Sequence, residues 1–209
     1  MDANDVELIA RETVFQGYFR IDEYRLRHRL HEGGMSDELC REVFERGQVG
    51  ALLPVDPHLD RIVLIEQFRT GSYSVGWPPW QIEVVAGIIE DGESAEGLVR
   101  REALEEAGCV IEMLEPMHTY LASPGACTET VSLFAGKVDA SNAGGIHGLP
   151  EEAEDIKVTT HSVSEGVAML NGSRIANATT LIALQWLALN YEWLKRKWTQ
   201  GTPAPGAAQ

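Results

Sequence analysis

The stretch GIIEDGESAEGLVRREALEEAGC occupies residues 87–109. It opens on Gly87, reaches Glu93, and then carries Arg101-Glu102, Glu105-Glu106 and Ala107-Gly108. A helix of about fourteen residues is expected from Ser94, a residue type that caps helix starts. Residues three and four apart share a helix face, so Glu102, Glu105 and Glu106 project together. Like charges so placed destabilise a bare helix and raise one another's pKa. Arg101 neutralises only part of this charge. The natural partner is a hard divalent cation, which takes carboxylate oxygens. Mg²⁺ keeps several waters and shares its shell with substrate phosphates, as pyrophosphate chemistry requires. A solvated acidic helix face has the same composition, and charge runs usually are one. On charge and helix geometry alone the two readings stay open.

Outward from this stretch, the texture is that of an α/β (α+β) chain. Phe19 and Ile21, then Tyr24, Leu26 and His28, alternate within 7–31 and predict strand. Gly33-Gly34 breaks the pattern. MSDELCREVFERG, 35–47, is ambiguous, because Ser36 could cap a short helix. VGALLPV and RIVLIEQFR flank Asp56-Pro57 and predict a hairpin. WQIEVVAG, 80–87, reads as one strand. Strands are expected near 117–122, 130–139 and 155–163, a short helix near 164–170, and a final helix over 177–198. That helix ends in Lys195-Arg196-Lys197, which suits the negative helix terminus. A mixed sheet with helices on its faces follows. The tail GTPAPGAAQ is Pro/Gly-rich and expected to be disordered.

The 209 residues suit one ordinary domain, or one domain with a small appendage. A formal charge of −15 argues against non-specific nucleic-acid or anionic-membrane binding, which needs a basic surface. An anionic substrate must therefore be met by local arginines or bound cations. Cys40, Cys109 and Cys127 have neither metal-ligand nor disulfide spacing and read as reduced thiols. The acidic start MDANDVELIARE has no apolar signal-type stretch. No run approaches the roughly 18 apolar residues of a membrane span. A cytoplasmic protein is expected.

Residues 87–109 resemble the Nudix box in every fixed polar and glycine position. Ala103 and Cys109 fill two apolar slots with smaller residues than the usual Leu, Ile or Val. The resemblance implies a Nudix α/β/α sandwich preceded by a small β-rich N-terminal domain. The implied boundaries are 1–48 for a dimerisation domain exchanged between subunits, 49–199 for the hydrolase domain and 200–209 for the tail. It further implies that Glu102 and Glu106 are catalytic metal ligands, with Glu105 a supporting ligand and the Ala86 carbonyl a backbone ligand. Gly87, Glu93, Arg101 and Gly108 are implied as structural members of the box, Arg101 pairing with Glu93. Two or three Mg²⁺ ions per site are implied, with Mn²⁺ able to substitute.

The box gives the reaction class, hydrolysis of a nucleoside diphosphate linked to some group X, and leaves X open. Leu-Ala-Ser-Pro-Gly, 121–125, resembles the signature of ADP-ribose pyrophosphatases. Without the box it would read as an ordinary turn. The resemblance to bacterial ADP-ribose pyrophosphatases extends through REVFERG (41–47), VLIEQFR (63–69), GIHGLPEEAEDI (145–156) and NATTLIALQWL (177–187). Val85 stands where many relatives have proline. The resemblance implies ADP-ribose as substrate, AMP and ribose 5-phosphate as products, and a homodimer with no nucleic-acid or membrane partner. It places the general base in LPEEAEDI, with Glu152 the candidate base, Glu151 its rival and Glu154 a candidate metal contact. Arg46 and Arg69 match substrate-contact positions, as do Tyr18, Phe19, Arg41, Glu42, Ile88, Ser123 and Glu129. Two alternatives stay open. One is a Nudix hydrolase of another nucleotide sugar or a dinucleotide polyphosphate. The other is a non-catalytic nucleotide sensor, a class that usually loses box carboxylates and gains a DNA-binding domain.

Overall fold

The computed structural model describes residues 1–149 and 153–200, so Glu151, Glu152 and the C-terminal tail lie outside the described residues. The chain forms two compact units. One comprises Met1–Gln48 and Tyr120–Thr130; the other comprises Val49–Thr119 and Val131–Gln209.

The first unit is built on three antiparallel strands in sequential order: β1 (Val6–Gln16), β2 (Arg20–His28) and β3 (Leu39–Glu45). Asp22 is buried in this sheet and accepts hydrogen bonds from Arg11 Nε and Thr13 Oγ1, both at 2.8 Å. The ambiguous segment 35–47 resolves as strand. Ser36 does not cap a helix; its hydroxyl accepts the His28 backbone N–H at 3.1 Å. Pairing of Cys40 with Arg25 and of Val43 with Asp22 supplies the ladder that a short helix there would have lacked. Residues 120–130 strap onto the end of β3. Phe44 N–H donates to Ala126 O (2.8 Å), and Thr128 N–H donates to Phe44 O (3.0 Å).

The second unit holds a mixed sheet. Its strands are β4 (Gln48–Asp56), β5 (Arg61–Phe68), β6 (Trp80–Glu83), β7 (Val85–Ile88), β8 (Met113–Leu121), β9 (Thr130–Lys137), β10 (Gly145–His147) and β11 (Ile156–Ser162). The order is β10-β11-β5-β4-β9-β8, with β6 pairing with β5 and β7 with β4. The β4–β5 hairpin is fixed by buried Asp56, whose carboxylate accepts the N–H groups of His58, Leu59 and, across the sheet, Ala140. The helices are α1 (Thr70–Ser74), α2 (Ala95–Ala107), α3 (Val163–Ala168) and α4 (Ala178–Gln200).

Alternation along β5 sets the layers. Val63 and Ile65 pack with Val99, Ala103 and Ala107 of α2. Ile62 faces the other way, toward Gly166 of α3 and Leu184 of α4. A methyl at Gly166 would sit 2.3 Å from Ile62 Cδ1, so only glycine lets α3 approach this closely. Replacing Leu184, which is fully buried, with Ala is expected to cost about 2–5 kcal/mol, measurable by chemical denaturation. The sandwich is thus helix, sheet, helix.

WQIEVVAG is two strands rather than one. Trp80–Glu83 runs along β5, and Val85–Ile88 runs along β4. The chain changes partner at Val84, whose N–H leaves the sheet and donates to the buried Thr180 hydroxyl at 3.0 Å. Asn177 Nδ2 donates to Ile82 O at 2.9 Å, tying α4 to the same crossover.

Candidate active site

The box spans β7, a turn and α2. Ser94 caps α2 by accepting the Gly97 N–H at 3.0 Å. Gly108 ends it in the left-handed conformation, φ 62°. Cys109 N–H then reaches back to Ala103 O, which satisfies a carbonyl at the helix end. Ala103 and Cys109, the two small residues in apolar slots, are both buried in the core under the helix.

Arg101 organises the charges. Its Nε lies 3.2 Å from Glu93 Oε1, and its Nη1 lies 2.9 Å from both Glu102 Oε1 and Glu105 Oε2. Hydrogen bonding to Arg101 holds the Glu93 carboxyl below its usual range. Glu102 lies beneath Gly87, where an added Cβ would stand 2.2 Å from Glu102 Oε1. Gly87→Ala is therefore expected to displace Glu102 and lower turnover by about tenfold or more, with little change in Tm. Turnover and melting measured together test this.

Glu106 is the chemically unusual residue. It is 3% exposed, yet among the described residues only the Ala86 N–H, at 3.1 Å, is bonded to its carboxylate. Burial pushes its pKa up to about 8, with the Glu102 and Glu154 charges adding to the rise. Burial also raises Glu102, though Arg101 opposes this. Among the described residues, no three Asp, Glu, His or Cys side chains already stand in a metal-ready group. What the helix presents is two oxygen-donor side chains, Glu102 paired with Arg101 and Glu106 desolvated beyond what the Arg69 charge offsets, beside the strand that carries the Ala86 carbonyl. That donor set suits a hard divalent cation and no soft one.

Arg69 pairs with Glu83 through two nitrogens, Nη2–Oε2 being 2.6 Å. Burial would lower the pKa of Arg69, but Glu83 more than offsets this and the net shift is upward. Glu83 is a charged residue inside an apolar strand, a signal present in the sequence but lying outside the box. Ile88 is exposed at the end of β7. Glu154 closes on its own loop, accepting the Leu149 N–H at 3.1 Å.

A second group forms within the N-terminal unit. Arg46 lies 4.8 Å over the Phe19 ring, 5.7 Å over Phe44, and 3.2 Å from Glu129 Oε2. Tyr18 meets Phe19 edge-on at 4.8 Å and is 90% exposed. Phe44 escapes a reading of the sequence because an aromatic in REVFERG reads equally as core. Arg41 and Glu42 are exposed, and Arg41 bonds only its neighbour's carbonyl, Cys40 O, among described contacts. Ser123 sits in the turn, where its carbonyl accepts Ala126 and Cys127 N–H groups.

Residues 45–177 match the family model of the NUDIX domain. The chain belongs to the Nudix family. The stretch that resembles the Nudix box, residues 87–109, lies inside the matched range, with Glu106 at its buried end. The ADP-ribose pyrophosphatase of Escherichia coli K12 is 50% identical over 195 residues, 93% of each chain. The ADP-ribose pyrophosphatase of Haemophilus influenzae is 37% identical, covering 93% of this chain and 91% of its own. The GDP-mannose pyrophosphatase of Pectobacterium atrosepticum is 30% identical, covering 88% and 94%. A solved structure described as an ADP compounds hydrolase superposes with a TM-score of 0.71 at 19% identity, covering 94% of this chain and 96% of its own. That likeness shows the Nudix fold. Hydrolases of this family depend on divalent metal ions.

Proposed function

We propose that this Nudix chain is a Mg²⁺-dependent hydrolase that cleaves the pyrophosphate of ADP-ribose to give AMP and ribose 5-phosphate. The chemistry rests on one observation above all: a box carboxylate, Glu106, buried beside Glu102 so deeply that the Arg69 charge does not offset the cost of its burial. The substrate rests on identity to relatives named ADP-ribose pyrophosphatase, 50% and 37%, against 30% for one named GDP-mannose pyrophosphatase.

Glu102, Glu106 and the Ala86 carbonyl would hold the cations, with Glu105 and Glu154 as further oxygen donors. Two or three Mg²⁺ ions per site are proposed, with Mn²⁺ a substitute. When bound, such ions supply charge compensation on the pyrophosphate oxygens and make a nearby water more acidic. Glu152 takes the proton from the attacking water; Glu151 is the rival base, and both lie outside the described residues. A carboxylate on a loop can move to its water, as a general base must. Arg46 and Arg69 meet phosphate or adenine, since a guanidinium binds phosphate in two-pronged fashion and stacks on bases. Tyr18 and Phe19 supply aromatic faces for the adenine. Arg41, Glu42, Ile88, Ser123 and Glu129 complete the substrate contacts. Gly87, Glu93, Arg101 and Gly108 shape the box.

A homodimer through residues 1–48 is part of this reading. β1 leaves Leu8, Val14 and Phe15 more than half exposed, an apolar content that a second copy would cover. No described helix is long and apolar enough to cross a membrane. Three unpaired cysteines fit the cytoplasm.

The test is phosphate-ester release from ADP-ribose, ADP-glucose, GDP-mannose, NADH and diadenosine polyphosphates, each with Mg²⁺ and with EDTA. ADP-ribose is expected to lead by about tenfold or more in kcat/KM, a difference of about 1.4 kcal/mol in transition-state binding. EDTA is expected to abolish turnover. A lead for GDP-mannose would keep the Nudix chemistry and overturn the substrate.

A further inference from the structure

We propose that His147 is a positioning residue. Its imidazole wedges the root of the acidic loop against the C-terminal end of the box helix, and so sets where Glu154 stands relative to Glu102 and Glu106. The proposal rests on the catalytic reading above.

The loop is rooted in the two-strand ladder of β10 and β11, where His147 pairs with Ile156. Among the described residues, Gly148, Leu149 and Glu154 lie between the two members of that pair. The ring of His147 is oriented by one bond, Nε2 to Gly144 O at 2.9 Å. A carbonyl only accepts, so Nε2 carries the hydrogen. That orientation aims the Cε1 edge at Gly108. A methyl group added to Gly108 would lie 2.8 Å from Cε1 and 3.5 Å from Nδ1. Gly108 already needs its left-handed backbone, which asparagine also tolerates at a helix end. The imidazole adds a second demand, the absence of any side chain there. The ring therefore fills the volume that the box glycine leaves open.

The next residues fasten to the same place. Gly148 N–H donates to Glu105 O at 3.4 Å, one of the carbonyls left free at the end of α2. Gly148 has φ 101°, and an added Cβ would lie 2.7 Å from Glu154 Cβ. Leu149 N–H donates to Glu154 Oε2 at 3.1 Å, and Glu154 N–H donates to Leu149 O at 3.2 Å. Helix end, imidazole, Gly148 and Glu154 thus form one packed chain of contacts. The Glu154 charge is felt at both Glu102 and Glu106. Removing the ring takes away the side-chain contact at Gly108, and the loop root that carries Glu154 is then expected to loosen.

The test compares wild type, His147→Ala and His147→Gln in steady-state ADP-ribose hydrolysis at saturating Mg²⁺. Tm and amide hydrogen exchange over residues 145–149 are measured in parallel. His147→Ala is expected to lower kcat by about tenfold or more, because small misplacements of reacting groups cost that much. KM is expected to stay within about threefold, since the substrate arginines are untouched. Exchange at Gly148 and Leu149 is expected to accelerate, with Tm still above the assay temperature. His147→Gln keeps a side-chain N–H for Gly144 O and is expected to recover part of kcat. A kcat for His147→Ala within about twofold of wild type would overturn the proposal, as would unchanged exchange at Gly148. If His147→Ala fails to fold, the same criteria apply to His147→Gln, with a partial loss expected. If wild type cleaves another diphosphate instead of ADP-ribose, the substrate reading has failed, and the comparison runs on that compound with the same criteria.

Discussion

Glu106→Gln is expected to lower kcat by at least about a hundredfold while the fold persists, because the amide keeps the shape and loses the charge that a metal ion requires. Its effect on stability has a definite sign. The unfolded carboxyl titrates near ~4.3. In the folded, metal-free protein, burial moves it up to about 8. Between these values the unfolded chain has released a proton that the folded chain keeps. Stability of the metal-free wild type therefore falls as pH rises through that window. Glutamine does not titrate, so the variant lacks this component. Thermal melts in EDTA at about pH 5 and pH 8.5 check it against the two limits of that window. The wild type is expected to lose Tm relative to Glu106→Gln at the higher pH. A constant difference between the two would mean that Arg69 and the Ala86 N–H offset the burial of the carboxylate in the metal-free protein.

Arg101→Ala is expected to be the second severe variant. One guanidinium serves Glu93, Glu102 and Glu105 at once. Its pKa is raised, first by its hydrogen bond with Glu93. Alanine would leave three carboxylates facing one another and untie the turn that carries Glu93 from α2. A loss of kcat/KM of about a hundredfold is expected, by displacement of Glu102. The side chain is 38% exposed, so solvent screening limits the stability cost to about 1 kcal/mol. Added Mg²⁺ is expected to restore more Tm to Arg101→Ala than to wild type, since the cation supplies the missing positive charge. Lysine is not expected to rescue, because a single ammonium cannot span the three positions a planar fork reaches. Equal Mg²⁺ responses in the two proteins would count against this account.

Several features are legible in the sequence itself. Box spacing alone places Glu102, Glu105 and Glu106 on one helix face, with Ser94 and Gly108 at its ends. These are local consequences of 3.6-residue periodicity and backbone conformation, and local physics is written in local sequence. The hairpin at Asp56-Pro57 is legible for the same reason. The segment 35–47 is not, because its seven paired residues draw their hydrogen bonds from β2, which the segment does not contain. WQIEVVAG hides a change of partner for a related reason. An apolar run records that a strand is buried and not which neighbour it follows. Val84 turns aside toward Thr180, ninety-six residues later in the chain.

The candidate site divides along the same line. Which residues carry charge, and at what spacing, the sequence by itself determined. That Glu106 is buried, at a cost the Arg69 charge does not offset, was decided only by the tertiary structure, because desolvation is set by packing of β7 against α2 and not by residue type. The pairing of Arg69 with Glu83, the stacking of Arg46 on Phe19 and Phe44, and the seating of His147 against Gly108 have the same origin. Each joins residues distant in sequence, and such contacts exist only once the chain has folded. The sequence alone determined the chemistry on offer, an acidic helix built for a hard cation. The folded structure decided which carboxylate is most deeply desolvated, since the dielectric around each group is a property of its neighbours in space.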